Sequence, residues 1–419
     1  MIPDRYRRWA ILLMACLLFV LSMFYRASVA VITPDLIRDL ALDARGLSLI
    51  SAAFFYAFAF MQIPISMYLD GIGPRFSMTA LSLIAVAGAL IFAWGDSLSA
   101  LVIGRMLMGA GMACNLMGTF KLIALWFDPL RFATLSAFVI SIGTAGNVTA
   151  ATPLVLLVQS IGWRLTFTAF SAINLLLAVL FFIVVRDRPQ SGGDGKPLRS
   201  ASTNLREILR ALRQLFRERD YWIISLGTFC RYGIFASVQA LWAGPYLMNV
   251  IGVSAVATGN LILLMSIGII IGSPVFGWLS DVVFNSRKGV IVGGLTGTGL
   301  VLIVLAGLSP DTSMVVLAVL FFGFGFFSSS GGIMYAHIKE RMPVEHAATA
   351  MTGVNFFTMV GVVVFLQGLG SLMHHFYPQA SLGASAFKGA FLTCAACLGL
   401  TVVFYLFTTE TRRRPTANR

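Results

Sequence analysis

The feature that narrows the possible folds of this 419-residue chain most is a near-regular succession of apolar runs, each about 20 residues long, separated by short polar stretches. A helix of that length crosses the roughly 30 Å hydrocarbon core of a bilayer. In lipid only helices and closed barrels satisfy every backbone N–H and C=O group. Twelve such runs are read, near 9–33, 46–69, 76–95, 98–125, 132–160, 163–185, 220–249, 255–280, 289–309, 312–338, 346–373 and 384–408. Composition agrees: 58% of residues are hydrophobic and 11% charged, where soluble domains carry about 25% charged residues. The expectation is an all-α membrane protein. The stretch Met1–Arg8, with three arginines, leads into an apolar run too long for a secretory core and is read as the entry to the first span.

A formal net charge of +13 raises the question of nucleic acid, and the placement of the charges answers it. Of the 30 Lys and Arg, four (Arg38, Arg45, Arg164, Lys388) fall in outer segments and four (Arg26, Arg105, Lys121, Arg231) inside spans; the rest gather on one side. That asymmetry is the positive-inside rule, and it predicts both termini in the cytoplasm of a bacterial inner membrane, with no nucleic-acid partner. The five cysteines all sit in apolar runs, and Cys394 and Cys397 have no histidine or second pair beside them. They are read as small buried hydrophobes, without metal or cofactor.

The polar stretch after the sixth run, rich in Pro, Gly and Ser and then basic with leucines at helical spacing, divides the chain. A six-helix bundle is expected over 1–188, a cytoplasmic linker with an amphipathic helix over 189–219, and a second bundle over 220–419. The halves echo each other. "SMYLDGIGPRFS" follows the second run and "GWLSDVVFNSRK" the eighth, each setting an Asp (Asp70, Asp281) at a helix end with basic residues after it (Arg75; Arg287 and Lys288). The fourth run carries "GRMLMGAG", which brings Arg105 into the membrane beside Gly109 and Gly111.

These residues resemble the major facilitator superfamily over nearly the whole chain: twelve spans, a central loop, the G-x-x-x-D-x-x-G-R/P-R/K loop and the G-R-x-x-x-G-x-G of span four. The first loop departs at its opening glycine, Ser66 here, whereas the second copy keeps Gly277. The resemblance implies two pseudo-symmetric six-helix bundles, alternating access, and a latch in which Asp70 and Arg75 take part, with Arg105 and Asp281 in related gating roles.

Arg26 is the residue that bears on function. A guanidinium cannot lose its proton, and at the bilayer centre it costs at least about 2.5–3.5 kcal/mol. "YRASVAVITPDL" resembles the first span of the organophosphate antiporters and the anion:cation symporters, in which an arginine meets the anionic group of the substrate; Arg26 matches that position. In span seven, Arg231 heads an R-Y-G like that of the antiporters' second arginine. Arg26 stands eight residues before Pro34 but Arg231 fourteen before Pro245. The six extra residues displace it about 9 Å along the helix and turn it about 240°.

No Asp or Glu lies near the middle of a span, and the position seven residues after Arg105, a glutamate in the symporters, is Met112. With buried positive charge and no buried carboxylate, the missing counter-ion is expected to be the substrate, a small organic anion. Tyr25, Tyr56, Asn115, Asn147, Gln239 and Asn355 are the polar residues expected to complete the site, with Gln62, Tyr232, Asn260 and Gln367 also in spans. Lys121 and His337 are read as interfacial, and Phe54 and Phe55 as packing or lipid-facing. No nucleophile–base pair, metal spacing or ATP loop is present, so a carrier and not an enzyme is expected, acting as a monomer. The rival readings are an efflux pump for hydrophobic compounds and a transporter-like membrane sensor.

Overall fold

In the computed structural model, residues 4–128, 132–187, 215–342 and 344–411 are described, so most of the expected linker lies outside them, as does the side chain of Asp70. Among the described residues, eleven helices are long and apolar enough to cross a membrane, and a shorter one, Phe138–Thr149, stands in the expected fifth run. The chain divides into two units, Met1–Leu42 with Leu49–Ser202, and Asp43–Ser48 with Thr203–Arg419.

The first unit holds α1 (Asp4–Ala27), α2 (Val29–Leu40), α3 (Ala44–Gly71, whose first turn groups with the second unit), α4 (Pro74–Trp94), α5 (Leu98–Met112), α6 (Asn115–Trp126), α7 (Phe132–Thr149) and α8 (Thr152–Val184). Here α1 packs on α7, and α4 on α5 and α8. The second holds α9 (Arg219–Ile251), α10 (Ala255–Val283), α11 (Arg287–Ala306), α12 (Met314–Ser328), α13 (Gly331–Arg341), α14 (Val344–Phe376) and α15 (Ala384–Tyr405). Its α9 packs on α14, and α11 on α15. In both units, then, the first span meets the fifth and the third meets the sixth, the mark of a structural repeat. Gly109 lets α5 approach α3: a Cβ there would collide with the Phe54 carbonyl.

Several expected spans are broken, and the breaks have causes. Pro34 has no N–H for the Ala30 carbonyl, and the Thr33 hydroxyl donates to it instead, at 3.2 Å. The chain parts between α1 and α2 at Ser28, between α5 and α6 at Ala113 and Cys114, and between α12 and α13 at Ser329 and Ser330. In α9, two stretches, Val238–Trp242 and Tyr246–Ile251, widen to π-helical turns on either side of Gly244 and Pro245. The fifth and sixth spans have no loop between them, because Gly162 alone makes the turn, at φ 77°.

A break inside a membrane helix leaves carbonyls without donors, and such backbone survives only where protein or a water-filled cavity supplies them. Side chains from other spans do so here. Tyr25 O accepts from Arg105 Nη1 at 2.5 Å. Met112 O accepts from Ser22 Oγ at 3.3 Å, and Ala113 O from Gln62 Nε2 at 3.3 Å. Ser328 O accepts from Arg231 Nη1 at 2.7 Å. The first and fourth spans of each unit are thus irregular, as are the fifth span, parted at Ala150 and Ala151, and the eighth, which ends in the π-helical stretch Leu279–Val283; Arg26 and Arg231 lie on the first spans of their units.

Candidate functional site

In the first unit, Arg26 lies in the last turn of α1, two residues before the Ser28 break, half-buried, with its guanidinium 5.0 Å from the Phe55 ring and 5.9 Å from that of Phe58. Rings around a cation partly replace its hydration, which lets the charge stand in an apolar span. Tyr25 beside it is fully buried, and its hydroxyl has no hydrogen-bond partner. Phe55, expected to pack or to face lipid, is buried and packs under Arg26. Phe54 does the same under Arg105, 4.8 Å from its ring.

Arg105 is fully buried, and its Nη1 and Nε reach Tyr25 O and Ile50 O at 2.5 and 3.4 Å. It thus ties span four to the break behind Arg26. Asn115 is also fully buried; its Nδ2 donates to Leu18 O at 3.1 Å and joins the start of α6 to α1. Tyr56 is 45% exposed on α3, and Asn147 is half-buried on α7. Lys121 Nζ donates to the Leu69 carbonyl.

In the second unit, Arg231 is 6% exposed. Its Nη1 holds Ser328 O, its Cζ lies 5.3 Å from the Tyr232 ring, and its Nε has no partner. The guanidinium rests on Gly331, where a Cβ would overlap it. Gln239 Nε2 donates to Ser266 Oγ at 3.0 Å. Asn355 Oδ1 accepts from Tyr335 Oη at 3.2 Å, and the same phenol lies 3.2 Å from Thr358 Oγ1. Tyr335 stands one turn beyond Gly331, so it belongs with Arg231. Sequence reading missed it, and Ser266 and Thr358, because a Tyr or Ser in a span has no distinguishing spacing. The Gly-Gly after three serines, Ser328–Gly332, was the signal available.

The loop residues fall into separate clusters. Arg75 Nε donates to Phe182 O at 2.8 Å, and its backbone N–H to Asp187 Oδ1 at 2.8 Å, so its partners lie at the end of α8. Asp281 contacts Arg287 Nη1, and Arg287 Nη2 reaches Glu340 at 2.7 Å. These carboxylates, with Ser273, Ser329 and Lys339, line a cavity of about 500 Å³. His337, expected at an interface, is fully buried between Tyr405 Oη (2.9 Å from Nδ1) and Thr409 O (3.0 Å from Nε2). A carbonyl only accepts, so Nε2 carries the proton and Nδ1 accepts from the phenol. Glu410 accepts from Ser286 Oγ at 2.5 Å and from the backbone N–H groups of Arg287 and Lys288 at 2.8 and 3.4 Å, capping α11. Burial alone would raise its carboxyl, and these three donors more than offset that and hold it below the ordinary range.

Comparison with known proteins bears on what this arrangement serves. The family profile described as Major Facilitator Superfamily matches residues 14–365 and 224–419. The chain is 22% identical, over 85% of its length and 86% of the relative's, to the probable sulfoacetate transporter SauU of Cupriavidus necator. It is 24% identical, over 86% and 85%, to the membrane sensor protein UhpC of Escherichia coli. It is 24% identical, over 81% and 80%, to the probable galactarate/D-glucarate transporter GudP of Bacillus subtilis. Among solved structures, a bacterial homolog of the human lysosomal transporter Spinster, inward-facing and unoccupied, has TM-score 0.74 at 18% identity over 95% of this chain and 96% of that one. The xylose transporter XylE of E. coli has TM-score 0.70 at 15% identity, over 97% of each. At these identities the solved structures speak for the fold.

Proposed function

The chain belongs to the Major Facilitator Superfamily, and we propose that it is a secondary transporter moving a small organic anion across a bacterial inner membrane by alternating access. The cargo class is a carboxylate, an organophosphate, or the carboxylate end of an amino acid or peptide. Both termini lie in the cytoplasm, and the protein acts as a carrier with no covalent chemistry.

The observation that carries this reading is the charge balance of the spans. Arg231 is buried with a donor unpartnered, Arg26 stands on two aromatic rings, and no carboxylate occupies the middle of a span. An anion pairs with the open Nε–H of Arg231, whereas a cation would be repelled and a neutral solute would leave that guanidinium without a counter-charge. Tyr25, Gln239 and Asn355 are the polar groups we assign to the remainder of the cargo. Tyr56, Asn115 and Asn147, of the first unit, are assigned to the same set. Asp70, Arg75 and Asp281 are assigned to the latch, and Arg105 to holding the first span. The relatives named for sulfoacetate and for galactarate and D-glucarate support the same class.

The likeness to a membrane sensor favours one rival, a chain that binds its anion and signals without turnover. Uptake by the purified protein in liposomes separates the two. Saturable accumulation of an acidic solute supports the carrier; tight binding without accumulation supports the sensor. Accumulation restricted to neutral or cationic solutes would sink the anion reading.

A further inference from the structure

Arg231 takes its direction from two partners: its Nη1 donates to Ser328 O at 2.7 Å, and its guanidinium rests on Gly331, the first residue of α13. What keeps those partners at the right height lies at the other end of the same two helices, within the second unit. Asp220 stands eleven residues before Arg231 on α9, in a stretch of regular α-helix. At 100° per residue, eleven residues return to within about 20° of the starting face, about 16 Å along the axis. Both residues therefore face the same neighbour. Arg341, the last residue of α13, lies ten residues after Gly331, about 15 Å along that helix, and its Nε is 2.9 Å from Asp220 Oδ2. The two helices are joined at matching spacings, Arg231 on Gly331 and Asp220 on Arg341.

Asp220 is 6% exposed, and a carboxylate so far from water needs more than one partner. The second comes from the chain beyond the last span. Thr409, four residues after α15 ends, gives its N–H to Asp220 Oδ2 at 3.3 Å, and its carbonyl takes the Nε2–H of His337 at 3.0 Å. His337 is on α13 and also meets Tyr405 Oη at 2.9 Å. One residue thus bridges α9 and α13 through both of its backbone groups. Its neighbours hold it in place: Thr408 O accepts from Lys288 Nζ at 3.2 Å, Glu410 caps α11, and Thr411 Oγ1 donates to Glu340 at 2.8 Å.

Contacts on a terminal segment could serve stability alone. These close on the two helices whose register decides whether Arg231 meets Gly331. A slip of one residue, about 1.5 Å along and about 100° around, carries the guanidinium off its seat. Resting on the reading of Arg231 as a ligand of the cargo, we infer that Asp220 and His337, bridged by the backbone of Thr409, are positioning residues that fix the register of α9 on α13 and so hold Arg231 from the carboxyl end of α13.

The test uses the purified full-length chain, with D-glucarate, galactarate, sulfoacetate, succinate and glucose 6-phosphate as probes. Thermal stabilisation is titrated in wild type, His337→Ala and His337→Gln; glutamine offers one N–H and one acceptor oxygen in place of the two ring nitrogens. His337→Ala should bind the probe that stabilises wild type about tenfold more weakly, and His337→Gln should recover most of that loss. Thr408→Cys, made in each background, reports on the bridge. Thr408 is 3% exposed, so the introduced thiol should react slowly with a polar maleimide while His337 is present, and about fivefold or more faster in His337→Ala. Should His337→Ala not fold, Asp220→Asn keeps an acceptor for Thr409, drops the ion pair to Arg341 and decides the matter: weaker binding is expected, and unchanged affinity overturns the inference. Equal labelling with and without His337 would overturn the bridge. Faster labelling with unchanged affinity would reduce it to a stabilising contact and overturn the positioning role, leaving the anion reading intact. Stabilisation of the wild type by none of the probes would overturn the anion reading itself, and this inference with it.

Discussion

Arg231 Nη1 and the carbonyl of Ser328 are joined by a 2.7 Å hydrogen bond across 97 residues of sequence. It is the counterpart of the bond from Arg105 Nη1 to the carbonyl of Tyr25 in the other unit. In each unit a buried arginine caps the carbonyl end of a helix broken inside the membrane. The roles of the two spans are exchanged: in the first unit the arginine is on the fourth span and the break in the first, and in the second unit the reverse. A carbonyl at a break needs a donor, and an arginine that gives one N–H to it is fixed in direction for its remaining N–H groups.

Gly331→Ala tests that fixing. The added methyl would overlap the Arg231 guanidinium, which must then leave its seat on α13. Alanine favours the helix by about 1 kcal/mol over glycine, so folding should not suffer from propensity. We expect anion affinity to fall by tenfold or more, and the thermal midpoint to fall with it, because the Ser328 carbonyl loses its donor. Unaltered affinity in this variant would show that the position of Arg231 does not matter to binding.

Arg26→Lys keeps the charge at the end of α1 but not the planar fork or its stacking over Phe55 and Phe58. Most uptake should be lost while the protein remains folded, the loss appearing mainly in substrate affinity and amounting to about 1.5–3 kcal/mol for a hydrogen bond to a charged group. Uptake at the wild-type rate and affinity would move Arg26 to a purely structural role.

Glu410 gives a pH dependence of known sign. Its carboxyl is held below the ordinary range by Ser286 and the α11 backbone N–H groups, so the folded state prefers it ionised. The stability it contributes is complete above the ordinary carboxylate pKa and is lost as pH falls through the depressed folded value. Glu410→Gln should therefore lower stability at pH 7 by the worth of a helix cap, on the order of 1 kcal/mol, which is read as a lower thermal midpoint. Toward pH 3 the difference from wild type should shrink. A difference that stays constant from pH 7 to 3 would mean that ionisation of Glu410 plays no part.

Much of this architecture could be read before any coordinates, because membrane burial enforces long apolar helices, which composition and run length reveal directly. Arg26 and Arg231 could be found because a charge in an apolar run is conspicuous. What periodicity could not carry is where helices break. Ser28, Ala113 and Ser329 are unremarkable in sequence, and the donors that make their breaks tolerable, Arg105, Ser22, Gln62 and Arg231, come from elsewhere in the chain. The offset of Arg231 relative to Arg26, puzzling as a repeat, is explained by its bond to Ser328. Phe55 was read as packing or lipid-facing, and its burial beside Arg26 decides for packing, because a ring under a cation and a ring against lipid look the same in sequence.

Arg105 permits the sharpest separation of stability from function. It has hydrogen bonds and a ring beneath it but no carboxylate partner, and desolvating such a charge costs several kcal/mol before those contacts offset it. Replacing it by methionine removes the charge, keeps most of the volume and strands no opposite charge; Tyr25 O keeps the donor Ser28 Oγ at 3.2 Å. Arg105→Met should therefore cost little stability, under about 2 kcal/mol, whereas Arg105→Ala, which also opens a cavity, should cost about 3–5 kcal/mol. Both should lose most transport, because the turn that aims Arg26 is no longer held from span four. Melting curves and uptake measured on the same preparations check this. Full activity in a folded Arg105→Met protein would show that the break behind Arg26 needs no arginine to hold it.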